Sequence, residues 1–194
     1  MEIAILKYNA GNVQSVTYAL ERLGISPLLT DDAHELQRAD KVIFPGVGEA
    51  STTMQYLRRH QLDRVICNLK QPVLGICLGM QLMCEHSEEN DTTCLGIFSE
   101  KVKRFSVPNL KVPHMGWNRL SDLHTPLLDQ LGEKPYVYFV HSYYVAPGPD
   151  TIARADYGLS FSAALHRDNF YATQFHPEKS GDLGARILQN FLDL

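Results

Sequence analysis

Pro72-Val73-Leu74-Gly75-Ile76-Cys77-Leu78-Gly79-Met80-Gln81 lies near the middle of the chain and sets how the rest is read. Val73 to Ile76 reads as a short buried strand after a proline, and Leu78 to Cys84 as a helix with Leu78, Leu82 and Met83 on its inner side. Cys77 falls in the turn between them, flanked by Gly75 and Gly79. That G-x-nucleophile-x-G spacing is the pattern of a nucleophile elbow. The glycines let neighbouring segments approach a strained turn, while the N–H of Leu78 opens a helix and can face an oxyanion. One turn thus offers both a nucleophile and an oxyanion donor.

A free thiol, with a pKa of about 8.5, is only a few per cent thiolate at neutral pH, so Cys77 needs a basic partner. Phe175-His176-Pro177-Glu178 supplies one. The proline pushes His176 towards an extended backbone, and residues two apart in an extended segment point to the same side, so Glu178 can orient the His176 ring. Taken singly, Cys77 is a core cysteine and the tripeptide an ordinary turn. Taken together they are a candidate Cys-His-Glu catalytic constellation.

The 194 residues suit a single domain over 1–194, and no linker or repeat divides them. Charged residues make up 21% of the chain and the net charge is -4, with no basic or acidic tail. Nucleic acid and anionic membrane are therefore not expected partners. Met1 to Leu6 lacks the features of a signal peptide and no apolar run approaches 18 residues, which points to a cytoplasmic protein. Cys67, Cys77, Cys84 and Cys94 form no C-x-x-C pair and the eight histidines no metal-ligand spacing, so neither disulfides nor metal are expected. Cys67 and Cys84 are expected in the core, and Cys94 in an exposed polar loop.

From the N-terminus, Glu2 to Leu6 reads as a strand, and Val13, Val16, Leu20 and Leu23 as a helix capped by Asn12 and ended by Gly24. The intervening loop lacks G-x-G-x-x-G, which disfavours a dinucleotide site. Ser26 to Thr30 is a second strand, Ala33 to Ala39 a helical turn, and Lys41 to Phe44 a third strand running into Pro45-Gly46-Val47-Gly48. Such alternation predicts a doubly wound, mostly parallel α/β sheet with flanking helices, and ligands bind outside the carboxyl ends of its strands, where this loop and Cys77 both fall. Helices are expected over Glu49 to His60 and Leu62 to Leu69. From Leu95 onward, short runs at Leu95 to Phe98, Val102 to Phe105, Trp117 to Leu120, Tyr136 to Tyr144, Thr151 to Ala155 and Phe161 to Leu165 predict additional antiparallel strands in the C-terminal half. Phe170 to Phe175 returns a strand, and Leu183, Ile187, Leu188, Phe191 and Leu192 mark a closing amphipathic helix.

Gly75-Ile76-Cys77-Leu78-Gly79-Met80-Gln81 with Phe175-His176-Pro177-Glu178 resembles the signature pair of the class I, triad-type glutamine amidotransferases. Pro45-Gly46-Val47-Gly48, Pro113-His114-Met115-Gly116-Trp117-Asn118 and Phe139-Val140-His141-Ser142-Tyr143 narrow the resemblance to the glutaminase subunits of imidazole glycerol phosphate synthase, in histidine biosynthesis. The resemblance runs from end to end. It implies Cys77 as nucleophile, His176 as general acid/base and Glu178 as its orienting partner. It further implies that Gly46, Val47, Gly48 and Leu78 border the oxyanion and glutamine, and that Gln81 lies beside the substrate. Glu89 would meet the substrate's ammonium group and the backbone of His141, Ser142 and Tyr143 its carboxylate. Asn12, Trp117, Tyr138 and Lys179 would face a (β/α)8 cyclase subunit in a heterodimer, and no cofactor is implied. The chain departs from the family pattern at Asn9, where a glycine is usual. Two other readings share the triad: a cysteine hydrolase or amidotransferase of another pathway, against which the His-Met-Gly-Trp segment speaks, and a silent regulatory module, against which the intact triad speaks.

Overall fold

A computed structural model describes residues 1–8 and 12–194, and the departure at Asn9 lies outside the described residues. The first half alternates strand and helix: β1 (Ile3–Leu6), α1 (Val13–Arg22), β2 (Leu28–Thr30), α2 (Ala33–Arg38), β3 (Lys41–Phe44), α3 (Ala50–Arg59), α4 (Leu62–Asn68), β4 (Val73–Ile76) and α5 (Leu78–Met83). Short strands β5 (His86–Ser87) and β6 (Thr92–Thr93) precede β7 (Lys101–Arg104), and β8 (His114–Arg119) pairs with β9 (Tyr136–His141) in a separate antiparallel ribbon. Then come β10 (Tyr143–Val145), β11 (Thr151–Asp156), β12 (Ser160–Arg167), β13 (Phe170–Thr173) and the closing helix α6 (Gly181–Asp193).

The main sheet runs β2-β1-β3-β4-β13-β12-β10-β7-β5-β6, with β11 beside β12. Strands β2, β1, β3, β4 and β13 are mutually parallel, and the pairings of β12 with β13, β10 and β11 are antiparallel. The apolar runs follow from burial on both faces. In β1, Ile3 and Ile5 enter one core with Val16 and Leu20 of α1 and Ile187 and Phe191 of α6. Ala4 and Leu6 enter a second core on the other face, with Leu36 of α2, Leu57 of α3, Ile66 of α4 and Met80 of α5. The same period of two places Ile43, Leu74 and Ile76 in the first core and Val42, Phe44 and Val73 in the second. The expected doubly wound sheet is therefore present, with the antiparallel strands confined to the later part of the chain.

Several local expectations are corrected. Leu95 to Phe98 forms no strand; the N–H groups of Leu95, Gly96 and Phe98 donate to the carbonyls of Leu82, Cys84 and Met83, and so satisfy the C-terminal end of α5. Helix α5 is buried on every side rather than on one. The run Tyr136 to Tyr144 is broken at Ser142, where the chain leaves the ribbon for the main sheet. The cysteine expectations exchange places: Cys67 lies on the outer side of α4 and is exposed, whereas Cys94 is buried under α3 and α4 beside Met54. Asn12 adopts a left-handed backbone and makes no capping bond to α1. Among the described residues no helix is long and apolar enough to cross a membrane.

Candidate active site

Strands β4 and β13 are parallel neighbours, with Ile76 opposite Thr173, so the residues that follow them emerge side by side at the carboxyl edge of the sheet. Cys77 follows β4 directly and turns sharply into α5, at φ 54° and ψ -105°. A non-glycine residue there carries backbone strain of about 1–3 kcal/mol, which the surroundings must hold. Its N–H donates to Thr173 at 2.7 Å. Gly79 makes the turn possible, because a Cβ there would lie 2.0 Å from the carbonyl oxygen of Phe44 at the end of β3.

His176 has an extended backbone, as its proline predicts, but Pro177–Lys179 form a single helical turn instead of continuing the extension. The turn brings Glu178 Oε1 to 2.8 Å from His176 Nδ1. Both side chains are buried, at 1% and 0% exposure, so the pair is shielded from solvent. Asn12 Nδ2 donates to the same oxygen at 2.6 Å, a contact with Glu178 that the sequence expectation of a partner surface did not contain. His176 Nε2 has no hydrogen-bond partner among the described residues. Burial disfavours a charged imidazole, but the approach and negative charge of Cys77 and then of Glu178 outweigh it and raise the His176 pKa to about 10. The Nε2–H of an imidazolium is therefore available to Cys77, although no hydrogen bond of ordinary geometry joins the two at rest.

The thiol of Cys77 is further placed by Val140, whose carbonyl lies 3.8 Å from Sγ, and by Gln174, whose Nε2 lies 3.7 Å from it. Gln81 Nε2 donates both to Gln174 Oε1 at 2.9 Å and to the Tyr143 carbonyl at 3.0 Å, so one amide ties β10 to the neighbour of Cys77. Gln174 is absent from the sequence-based site. A fully buried amide within the apolar run Phe170 to Phe175 is the signal that would find it, since such a group must be hydrogen-bonded.

A cavity of about 320 Å³ opens over Cys77, large enough for a small molecule. Val47, Gly48, Leu78, Gln81, Glu89, His141, Ser142 and Tyr143 all line it, as does Pro113. Gly46 sits behind, pressed so closely that a Cβ would lie 2.5 Å from Tyr8 Oη and 2.8 Å from Leu78 Cβ. Tyr8, just past the carboxyl end of β1, donates its buried hydroxyl to the Pro45 carbonyl and so fixes the start of the loop, a contact that no local pattern announces. The Leu78 N–H, expected to face an oxyanion, instead donates to the Gly46 carbonyl at 3.2 Å. Glu89 Oε2 accepts the Ala50 N–H at 2.8 Å, and burial raises its carboxyl pKa above the usual range despite that bond.

His141 is not a rival base. Its Nε2 faces His114 Nδ1 at 2.9 Å and its Nδ1 faces the Tyr143 carbonyl at 2.7 Å, so neither nitrogen is open to the cavity. Burial lowers its pKa to about 3 and that of His114 to about 4. Of the residues expected to face a partner, Trp117 is 56% exposed and pairs across the ribbon with half-buried Tyr138. Lys179 is exposed on the turn just after Glu178, and the Tyr138 carbonyl accepts the His176 N–H at 2.9 Å. These three and Asn12 thus gather round the His176–Glu178 segment.

The glutamine amidotransferase class-I family model matches residues 5–194. The chain is 60% identical to the imidazole glycerol phosphate synthase subunit HisH of Bacteroides thetaiotaomicron, with all of both chains covered. It is 47% identical to the protein of the same name from Idiomarina loihiensis, covering 100% of this chain and 98% of that one. Among solved structures, a crystal structure of a glutamine amidotransferase aligns with a TM-score of 0.77 at 19% identity, covering 100% of this chain and 98% of that one, which speaks for the fold alone.

Proposed function

Since this chain belongs to the class-I glutamine amidotransferase family, we propose that it hydrolyses glutamine to glutamate and ammonia, with Cys77 as nucleophile, His176 as general acid/base and Glu178 as orienting carboxylate. The observation that carries this reading is the buried His176 ring, held at Nδ1 by Glu178 while its Nε2, unpartnered among the described residues, neighbours the Cys77 thiol at the floor of the cavity. The thiolate attacks the side-chain amide carbon. His176 Nε2–H then protonates the departing nitrogen, the C–N bond breaks and ammonia leaves a γ-glutamyl thioester. Water, giving its proton to Nε2, attacks the thioester carbonyl, and expulsion of the sulfur releases glutamate and restores the pair. In the cavity, Glu89 meets the substrate ammonium and the 141–143 backbone its carboxylate.

The tetrahedral intermediates need a donor for their oxyanion, and losing one such donor costs on the order of 10²–10³ in rate. Leu78 N–H serves only after the Gly46 carbonyl withdraws, so turnover requires the Gly46–Val47 peptide to turn. Glycines at 46 and 48 make that turn sterically open; Gly48 already sits at φ 135°. By analogy with its relatives, the chain acts in the cytosol as one half of an imidazole glycerol phosphate synthase. Its partner is a (β/α)8 cyclase that docks against Asn12, Trp117, Tyr138 and Lys179, accepts the ammonia and favours the turned loop. The test is glutamate release with and without that cyclase and its nucleotide ligand. Stimulation by the cyclase, together with synthesis from ammonium salts that survives Cys77→Ala, supports the reading; glutaminase activity that survives Cys77→Ala overturns it.

A further inference from the structure

His114 begins β8 with its ring in a slot between Phe139 and Tyr157, at centroid separations of 5.0 and 4.2 Å. Its hydrogen bonds admit one proton arrangement. The Tyr143 carbonyl can only accept, so the His141 nitrogen 2.7 Å away, Nδ1, carries a hydrogen. Burial keeps His141 neutral, which leaves its Nε2 bare and able only to accept. The donor to it must then be His114 Nδ1–H, at 2.9 Å. A neutral His114 is left with a bare Nε2, and Asn118 Nδ2 lies 3.3 Å from it with hydrogens to give. From Asn118 to Tyr143 each link thus determines the next.

The far end of this relay is the bend where the chain passes from β9 to β10, and that bend lines the cavity over Cys77. His141 grips the carbonyl of Tyr143 across Ser142, while the Ser142 carbonyl accepts the Phe105 N–H at 3.1 Å and Gln81 holds the Tyr143 carbonyl from the other side. If His114 is lost, the bare Nε2 of His141 is buried without a donor, and the ring's easiest remedy is to turn or change tautomer, which releases the Tyr143 carbonyl.

We propose that His114 is a positioning residue for substrate binding: by donating to His141 it fixes the tautomer that clamps the 141–143 bend, and so shapes the backbone that receives the glutamine headgroup. This role rests on the glutaminase reading above. It bears on binding more than on chemistry, because His114 touches neither Cys77 nor His176 and the relay meets Cys77 only at one remove, through Gln81 and Gln174.

The test uses the isolated chain and two electrophiles, a chloroketone analogue of glutamine that carries the α-amino acid headgroup and iodoacetamide, which lacks it. Labelling is read at the Cys77 peptide by mass spectrometry, which sets aside the exposed Cys67. His114→Phe keeps a flat ring in the slot but removes the donor. The analogue concentration for half-maximal labelling rate should rise about five- to a hundredfold, the cost of one unpaired buried acceptor, while the iodoacetamide rate at Cys77 stays within about twofold. His114→Gln, whose amide can donate, should recover most of the loss. Half-saturation unchanged in His114→Phe, or the two reagents slowing in parallel, overturns the role. An analogue that labels the wild type without saturation overturns the glutamine reading, and this role with it. A measurement that needs no variant is the ring ¹⁵N spectrum: His114 and His141 should both appear as neutral Nδ1–H tautomers, and an Nε2–H tautomer at His141 sinks the proposal.

Discussion

Replacing Glu178 by Gln isolates charge from geometry. Glu178 Oε1 accepts from both His176 Nδ1 at 2.8 Å and Asn12 Nδ2 at 2.6 Å, while Oε2 has no partner among the described residues. A glutamine amide can put its oxygen in the place of Oε1 and its NH₂ in the place of Oε2, so both bonds and the His176 tautomer survive. What disappears is the negative charge beside the imidazolium. Two unit charges roughly 4 Å apart attract by about 4 kcal/mol at an effective dielectric near 20, and each 1.36 kcal/mol is about tenfold in rate. Part of that survives as a neutral hydrogen bond, so kcat for glutamate release in the cyclase complex should fall on the order of 10²–10³ with little change in KM. His176→Asn, which removes the proposed proton carrier itself, should fall nearly as far as Cys77→Ala. Glu178→Gln retaining more than about a third of wild-type kcat would mean that the charge does not act on His176, and losses equal to those of His176→Asn would mean that the substitution moves the ring.

Asn12→Ala removes one of the two bonds to Glu178 and should lower kcat about tenfold even without the cyclase, a loss that a purely partner-facing residue would not show in the isolated chain. Gly79→Ala should cost several kcal/mol of stability in denaturant titration, because its Cβ meets the Phe44 carbonyl at 2.0 Å; an unchanged midpoint would mean that the elbow is loose. His176 has a folded pKa raised to about 10 above an unfolded value near 6.5, so its stabilising contribution is complete below pH 6.5 and is lost as pH rises through 10. The wild-type Tm should therefore fall between pH 7 and 10 more steeply than that of His176→Asn, and parallel curves would contradict the shift. Trp117→Ala should lower cyclase-stimulated turnover more than basal turnover, and Gly48→Val, strained at φ 135°, should lower both.

Much of the fold was readable because parallel strands buried on both faces carry near-continuous apolar runs: Ile3 to Leu6, Lys41 to Phe44 and Val73 to Ile76 announce themselves. The elbow was readable for a local reason, the two glycines at fixed offsets from Cys77. The failures are non-local. Leu95 to Phe98 is apolar like a strand, yet its N–H groups go to the end of α5, a partner that no pattern within the segment specifies. The break at Ser142 does not show in the alternation of Tyr136 to Val145, although Val137 and Phe139 enter one core and Tyr143 and Val145, at the same odd positions, pack against the other. Cys67 is exposed and Cys94 buried because burial is set by what packs over a helix face or a loop, which their own residues do not specify. The contacts that hold the candidate site together join residues far apart in the chain: Asn12 with Glu178, Gln174 with Cys77, Tyr8 with Pro45. Residue type announces a nucleophile and a base; the groups that position them come into view only when the sheet brings strand ends together.

The central claim, that Cys77 is the nucleophile that opens the glutamine side-chain amide, is tested most directly by trapping the intermediate. The complex is mixed with ¹⁴C-glutamine, quenched in acid within a turnover, and the γ-glutamyl thioester is located by peptide mapping. Label on the Cys77 peptide, absent in Cys77→Ala and discharged by hydroxylamine, is the expected result. Label on Cys67, Cys84 or Cys94, or undiminished glutamate release from a Cys77→Ala complex that carries none, would contradict it.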